Sequence, residues 1–235
     1  EICACLVGSE MCIRDSSNPV RARFYEYPRF TYPWHFHSEY EIIYVEKGEG
    51  DCLVGDSIIS YSKGDLILFG SELPHSMQSP PDGGEESDNE EKSELKVRGV
   101  NIQFEKDFMH YSISQYSQFI PIRNLLEDAC RGIKFTITRS GKIIKLLEQI
   151  PSAKGADQII LLLSLLQMMA TSNHKKYLTT SHYIPSPSIM RNERMEKVIA
   201  YLNKHYTESI GLDEIASYTA MNPTAFCRYL SLIHI

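Results

Sequence analysis

The chain has 235 residues, of which 43% are hydrophobic and 23% charged, and its formal net charge is −6. This composition is ordinary for a soluble globular chain of one or two domains. No apolar run approaches the roughly 20 residues that a membrane-spanning helix needs, so we expect no membrane segment.

Both ends of the chain are predicted to be foreign to the protein. Residues 10–16 (EMCIRDS) and 230–235 (LSLIHI) can be encoded by DNA strings that are reverse complements of each other. The shared string resembles an adapter used in preparing sequencing libraries. We therefore interpret residues 1–16 and 230–235 as adapter-like and non-native, and we leave them out of the fold prediction.

The next part of the chain alternates short apolar runs with glycine and aspartate turns. The predicted strands are residues 41–45, 52–54, 57–61, 66–69 and 97–104. Gly64 with Asp65 is typical of the turns between them. Short strands at this spacing predict a β-sandwich or barrel, which we place at residues 17–105.

Most of the negative charge lies in one segment of this barrel region. Residues 80–96 carry seven acidic residues against two lysines, together with prolines and glycines. We predict an exposed, disordered loop at residues 80–95. The cysteines outside the adapter-like ends are far apart and odd in number: Cys52, Cys130 and Cys227. This pattern favours a reducing, cytoplasmic setting over a disulfide framework.

The pattern then becomes helical, and residues 106–173 are predicted to form a helical coupling or dimerisation region. A helix near residues 155–171 is apolar on all sides, so it needs partners on several sides. Packing inside the domain and a homodimer interface both satisfy this need, and the sequence leaves both open. Residues 174–189 carry polar residues and prolines and are predicted to be a linker.

Four side chains form a motif in the barrel segment. His35 and His37 are two residues apart, so on a strand they face one side, and Glu41 is an even step away. With Gly48 they match the first motif of the cupin family in full, and Gly64, Pro74 and His75 match the second more loosely. The segment of about residues 24–104 therefore resembles a cupin barrel.

The resemblance implies that His35, His37, Glu41 and His75 converge inside the barrel. Three imidazoles and a carboxylate suit a divalent metal such as zinc, nickel, iron or manganese. Each histidine alone is more often a surface or hydrogen-bonded core residue, and a metal is a possible rather than a required cofactor. The same pocket, with Trp34 at its mouth, is predicted to hold a small-molecule effector, for example a sugar on which the aromatic ring stacks.

The last segment, residues 190–229, has the pattern of two helices joined by a short turn. Asp213 and Glu214 suit the first turn of one helix. Asn222 and Pro223 suit the cap and first position of the next. The pattern is typical of a helix-turn-helix, although a plain helical hairpin would share much of it.

The segment resembles the first helix-turn-helix of the AraC family of transcription regulators. The matching residues are Leu212, Ile215, Ala216, Met221, Asn222, Pro223, Phe226 and Arg228. By position, the resemblance implies DNA contacts from Asn222, Thr224, Ala225 and Arg228. The family's second helix-turn-helix is missing, and charges balance over residues 191–229, so we expect the 235-residue chain alone to bind DNA poorly.

The fold class expected from these parts is α+β: an N-terminal cupin β-barrel with C-terminal helices, followed by an incomplete all-α helix-turn-helix domain. The predicted function is a cytoplasmic, homodimeric, effector-responsive transcription regulator without catalytic residues. A metal-dependent cupin enzyme, of oxygenase or isomerase type, is the alternative. A fragment that only dimerises is a third interpretation.

Overall fold

The computed structural model is α+β, with a sheet-rich N-terminal part and helices towards the C-terminus. It describes residues 18–31, 33–80, 97–137, 141–183, 197–198, 201–202, 204–205 and 209–233. The acidic loop predicted at 80–95 falls almost wholly outside these ranges, as do residues 1–17, Tyr32 and residues 234–235. Within the described ranges, none of the helices combines the length and the apolarity that crossing a bilayer requires.

The described strands form two sheets that face each other as a barrel. The strands are β1 (Val20–Tyr27), β2 (Tyr40–Lys47), β3 (Gly50–Val54), β4 (Ser57–Tyr61), β5 (Asp65–Phe69), β6 (His75–Gln78), β7 (Val97–Phe104), β8 (Ile133–Thr136) and β9 (Lys175–Tyr177). The larger sheet has the order β1-β7-β2-β5-β8-β9, and the smaller has the order β4-β3-β6. All five strands predicted from the sequence are present.

Of the α-helices whose bounds lie within the described residues, four follow β7 and two belong to the C-terminal segment. They are α1 (His110–Gln115), α2 (Ile120–Asp128), α3 (Gly141–Gln149), α4 (Gly155–Ala170), α5 (Leu212–Tyr218) and α6 (Pro223–Ile233). Pro121 lies at the start of α2, where a missing backbone N–H costs nothing. The helix predicted near 155–171 is confirmed as α4.

The central strands of the six-stranded sheet are covered on both faces, and this explains why they are apolar at most positions. Ile42 and Ile102 face the helices in one core, whereas Ile43 and Phe69 face the barrel interior in another. All residues of β5 are buried for this reason. Because side chains alternate along a strand, Glu41 shares the interior face with Ile43. The charged side chain of Glu41 is therefore placed inside the barrel, where it is 5% exposed.

Two short segments differ from the prediction. Residues 133–136, expected to be helical, form strand β8, which pairs antiparallel with β5. Residues 175–177, expected in a linker, form β9 at the edge of the same sheet. Their alternation is only two or three residues long, too short to compete with the helical periodicity around β8 or the polar composition around β9. Both segments are extended because they pair with strands that are distant in the sequence.

Helix α4 packs inside its own domain along one side. Its residues Leu162, Leu165, Leu166 and Met169 are fully buried in the core against the sheet and the other helices. On the opposite side Ile160 is 59% exposed. The core-packing interpretation is therefore correct, and the exposed side leaves the dimer interpretation as a prediction.

The helix-turn-helix pattern folds as two helices joined by a short turn. Ala225 N–H donates to Asn222 Oδ1 at 2.7 Å, which confirms Asn222 as the cap of α6. Ala216 is fully buried in a small core with Ile215 and Phe226. The helix predicted at 191–205 is described only at residues 197–198, 201–202 and 204–205, all of which are helical.

Candidate functional site

The four side chains of the cupin-like motif come together in the barrel. His35, His37, Glu41 and His75 each offer one ligand atom, and these atoms lie within 4.8 Å of one another. Glu41 comes from β2 of the larger sheet and His75 from β6 of the smaller, so the group spans the interior between the sheets. The juxtaposition expected from the motif spacing is present, and its role stays a prediction.

Backbone pairing holds the two histidines of the entering segment beside β6. His35 N–H donates to His75 O at 3.1 Å, and His75 N–H donates to His35 O at 2.9 Å. Glu72 N–H donates to His37 O at 2.8 Å. The segment 35–37 is thus held at two points, which fixes the side on which its imidazoles point.

Each imidazole is oriented by its own loop. The Nδ1 atoms of His35, His37 and His75 lie 2.9, 3.0 and 2.8 Å from the carbonyl oxygens of Pro33, Glu39 and Leu73. A carbonyl oxygen only accepts, so Nδ1 carries the hydrogen in all three rings. In the neutral tautomer Nε2 then carries a lone pair. Metal-binding histidines are oriented in the same way.

Glu41 is the centre of the group. Its Oε2 lies 3.0 Å from His37 Nε2 and 2.9 Å from His75 Nε2. Its Oε1 accepts hydrogen bonds from Asn101 Nδ2 and from Gln103 Nε2, the latter at 3.3 Å. The two amides of β7 were missed from the sequence. Their spacing of two on a predicted strand was the signal, but neutral amides belong to no motif quoted for this segment.

The arrangement leaves a chemical conflict that a cation resolves. With Nδ1 donating to a carbonyl, the Nε2 lone pairs of His37 and His75 both face the carboxylate oxygen of Glu41. Acceptors do not approach to these distances without a proton or a metal ion to share. Three imidazole nitrogens and one carboxylate oxygen are a donor set suited to zinc, iron, nickel or manganese. The residues therefore fit a divalent metal.

Aromatic packing surrounds the group. Phe69 stacks on His75, with ring centroids 4.2 Å apart and an interplanar angle of 8°. The rings of His35 and His75 are 4.5 Å apart. Trp34, predicted at the pocket mouth, is half-buried next to His35 in the chain. Its part in holding an effector stays a prediction.

Burial and mutual charge shift the pKa values of the group in different directions. Burial, followed by the charge of His75, lowers the pKa of His35 from 6.5 to about 4. Burial raises the pKa of Glu41, but the hydrogen bonds and positive charge that His37 and His75 supply when protonated outweigh it, so this pKa lies well below its ordinary value. Burial lowers the pKa of His37, but the hydrogen bond and charge of Glu41 raise it more. Near neutral pH, Glu41 is ionised and His35 is neutral, as metal ligands must be.

The metal-free protein is expected to lose stability as the pH falls from 6.5 towards about 4, in part because of His35. In this range His35 is protonated in the unfolded chain and neutral in the folded protein, so acid favours unfolding. His35→Gln removes this contribution and should flatten the pH dependence of the free energy of unfolding, measured by urea denaturation. An unchanged slope in the variant would contradict a buried neutral imidazole at this position.

The predicted DNA-contacting residues lie on one exposed region of the second helix of the pair. Asn222, Thr224, Ala225 and Arg228 are all exposed, whereas Phe226 is 2% exposed and packs into the core. This distribution leaves their side chains available to a partner. DNA contact itself stays a prediction.

Comparison with known proteins gives a match to the barrel and a curated relative. Residues 18–90 match the family described as AraC-like ligand binding domain. The chain is 23% identical over 197 residues to an uncharacterized HTH-type transcriptional regulator, YbfI, of Bacillus subtilis strain 168. The match covers 80% of this chain and 61% of that protein, so the chain spans about three fifths of its length.

Two solved structures are also similar. The fatty-acid-bound crystal structure of ToxT from Vibrio cholerae is 15% identical, with 92% of this chain and 74% of that chain covered and a TM-score of 0.45. A Cupin 2 conserved barrel domain protein from Salinispora arenicola is 13% identical, with 46% and 81% covered and a TM-score of 0.31.

The barrel with its family match defines the class of the protein as one with an AraC-like ligand binding domain. The curated relative is an HTH-type transcriptional regulator, so the two sequence matches together support an AraC-type regulator.

Proposed function

We propose that the protein is a transcription regulator whose DNA binding, through α5 and α6, responds to what occupies the group His35, His37, Glu41 and His75. One observation carries the proposal: four ligand atoms converge within 4.8 Å inside the segment that matches a ligand-binding family. A regulator needs a sensor site and a DNA-reading element. Here the second is the exposed region of α6 around Arg228.

We propose further that a divalent transition metal ion occupies this group. The donor set and the oriented imidazoles support this assignment. Four protein ligands would leave two positions free on an octahedral ion such as manganese. A small-molecule effector with two neighbouring oxygen donors, such as a hydroxy acid or a sugar diol, would fill them.

A metal-dependent enzyme is the alternative that the same ligands allow. The curated relative is an HTH-type regulator, which favours regulation. The domain limits predicted from the sequence also remain proposals: a sensor barrel at 17–105, a helical region at 106–173 and a helix-turn-helix segment at 190–229. The β9 strand argues for moving the start of any linker beyond residue 183.

Homodimerisation is kept as a proposal for the exposed side of α4. Ile160 is an apolar side chain that the described residues leave 59% exposed, and such residues are found at interfaces when they lie in a larger patch. Analytical ultracentrifugation of the wild type and of Ile160→Glu would decide. A dimer that dissociates in the variant supports the proposal, and a monomeric wild type removes it.

The regulator proposal is tested on the full product of the native gene, after reading the locus beyond both ends of this chain. Selection from a random duplex DNA library, with and without added zinc, should enrich a defined sequence, and zinc should change its affinity. Arg228→Ala should abolish enrichment, because a contact to a base or phosphate is lost. Arg21→Ala, an exposed arginine of β1, is the matched control. Failure of the wild type to enrich any sequence would sink the proposal.

A further inference from the structure

The segment that follows β9 lies on the turn between β3 and β4. Leu178 N–H donates to Gly132 O at 3.0 Å, and Thr179 N–H donates to Arg131 O at 3.1 Å. Leu178 is 4% exposed and packs in the barrel core. Residues 178–183, named here the docked segment, are therefore part of the barrel wall, and they lie between it and the helix-turn-helix in the chain.

Asp56 holds the docked segment through two hydrogen bonds. Thr180 N–H donates to Asp56 Oδ1 at 3.0 Å, and the Thr180 hydroxyl donates to Asp56 Oδ2. Both carboxylate oxygens are used, so the contact fixes an orientation as well as a distance. No other described contact joins an acidic side chain to this segment across so long a stretch of sequence, 124 residues.

The neighbouring residue must be glycine for the segment to dock. Gly55 has φ +53, and a Cβ on it would lie 2.7 Å from a ring carbon of Tyr183 and 2.8 Å from a methyl group of Thr179. Glycine is required here for two reasons: the positive φ of the turn disfavours other residues, and the docked segment leaves no room for a Cβ.

The same turn is bonded to the strand that carries His75. Gly55 N–H donates to Pro74 O at 2.9 Å, and Val54 is the register partner of His75 between β3 and β6. The path from Thr180 through Asp56, Gly55 and Pro74 to His75 consists of hydrogen bonds and single peptide links. A displacement of His75 can therefore be transmitted to Thr180 through a few short, stiff links.

The docked state also contains a cost. Thr179 Oγ1 and Arg131 Nε are buried and have no hydrogen-bond partner among the described residues. A buried polar group without a hydrogen-bond partner is less stable than the same group in water. Undocking would return both groups to water, but it would also break the hydrogen bonds that Arg131 Nη2 donates to Thr179 O and Thr180 O, each at 3.2 Å.

We infer that Asp56 is a positioning residue that couples the His75 site to the docked segment, and that ligation of His75 by a metal ion stabilises docking. The inference rests on the proposed metal site. Because coupling free energies are reciprocal, docking must strengthen metal binding by the same factor that metal binding strengthens docking. Metal binding would thereby restrict the motion of residues 178–183, which precede the helix-turn-helix segment in the chain.

The test is hydrogen–deuterium exchange of the full chain, followed at peptides covering 178–183, with and without Zn²⁺, together with zinc titration. In the wild type, zinc should slow amide exchange in the docked segment about fivefold or more. In Asp56→Ala, zinc should leave this exchange unchanged, and zinc affinity should fall by the same factor. Thr180→Val, which removes only the hydroxyl, should give a smaller change in the same direction.

Asp51→Ala is the matched control, since Asp51 is an exposed aspartate of the same hairpin that accepts a hydrogen bond from Ser60 at 3.3 Å. It should behave as the wild type. Zinc that binds without slowing exchange at 178–183 would overturn the coupling and leave the metal site intact. If Asp51→Ala and Asp56→Ala lose zinc affinity and the slowing of exchange equally, Asp56 only stabilises the hairpin. Absence of zinc binding in the wild type would refute the metal site, and the coupling with it.

Discussion

Glu41→Gln is expected to weaken zinc binding by more than the roughly 10- to 100-fold that loss of an outer hydrogen bond to a metal ligand costs. The substitution removes the only carboxylate of the group while keeping its size. In the metal-free protein a glutamine amide can still donate to an Nε2 lone pair of His37 or His75. The variant loses the negative charge that raises the pKa of His37, so it should lose stability at the lower pH values where His37 is protonated. Zinc affinity by competition with a chromophoric chelator, and urea denaturation without metal, measure the two effects separately.

The matched control is Glu39→Gln, an acidic residue whose Oε2 lies 3.8 Å from His37 Nδ1 on the outer side of the ring. Its zinc affinity should stay within about tenfold of the wild type, as expected for an outer contact. If Glu41→Gln binds zinc as tightly as the wild type, the group is not a metal site and the orientation of its imidazoles needs another cause.

Gly99→Ala is expected to lower the free energy of unfolding by about 3 kcal/mol or more, at the upper end of what overpacking costs. A Cβ at this position of β7 would clash with the backbone oxygen of Tyr44 and would lie 2.7 Å from the Tyr25 hydroxyl oxygen. The backbone oxygen cannot move away, because it also accepts the hydrogen bond of Tyr25 at 3.0 Å. Urea denaturation monitored by far-ultraviolet circular dichroism measures the loss.

Gly141→Ala provides the comparison, since nothing lies within 4 Å of a Cβ built there. Its stability should change by no more than about 1 kcal/mol, in the stabilising direction that helix propensity predicts. A Gly99→Ala protein as stable as the wild type would show that Tyr44 O and the Tyr25 ring do not approach β7 as closely as described.

The sequence predicted the barrel from its alternating strands and turns, whereas the convergence of His35, His37, Glu41 and His75 was implied by their resemblance to the cupin motifs. His35, His37 and Glu41 stand at even steps, and the strands around them alternate between turns with clear glycine and aspartate signals. The helix pair of the C-terminal segment was predictable for a similar reason, since Asn222 and Pro223 mark its second start.

What the sequence could not supply depends on contacts between distant segments. Asn101 and Gln103 matter because β7 happens to lie beside β2, which brings both amides to Glu41. Asp56 and Thr180 are an unremarkable turn aspartate and a polar residue until the chain returns to the barrel. Strand β1 was missed although Arg21 and Arg23 alternate with apolar residues, and its burial does not follow that alternation, since Phe24 is 56% exposed and Tyr25 is buried.

The position of β9 sets where the sensor part can be separated from the rest. A fragment ending at residue 173 would lack β9 and leave the outer backbone groups of β8 unpaired, since β8 borders β9 in the sheet order. Unpaired strand edges recruit strands from other molecules and promote aggregation. A fragment ending after Tyr183 would keep that edge covered and retain Leu178 in the core. The solubility of the isolated barrel is therefore expected to depend on residues 174–183, whose sequence resembles a flexible linker.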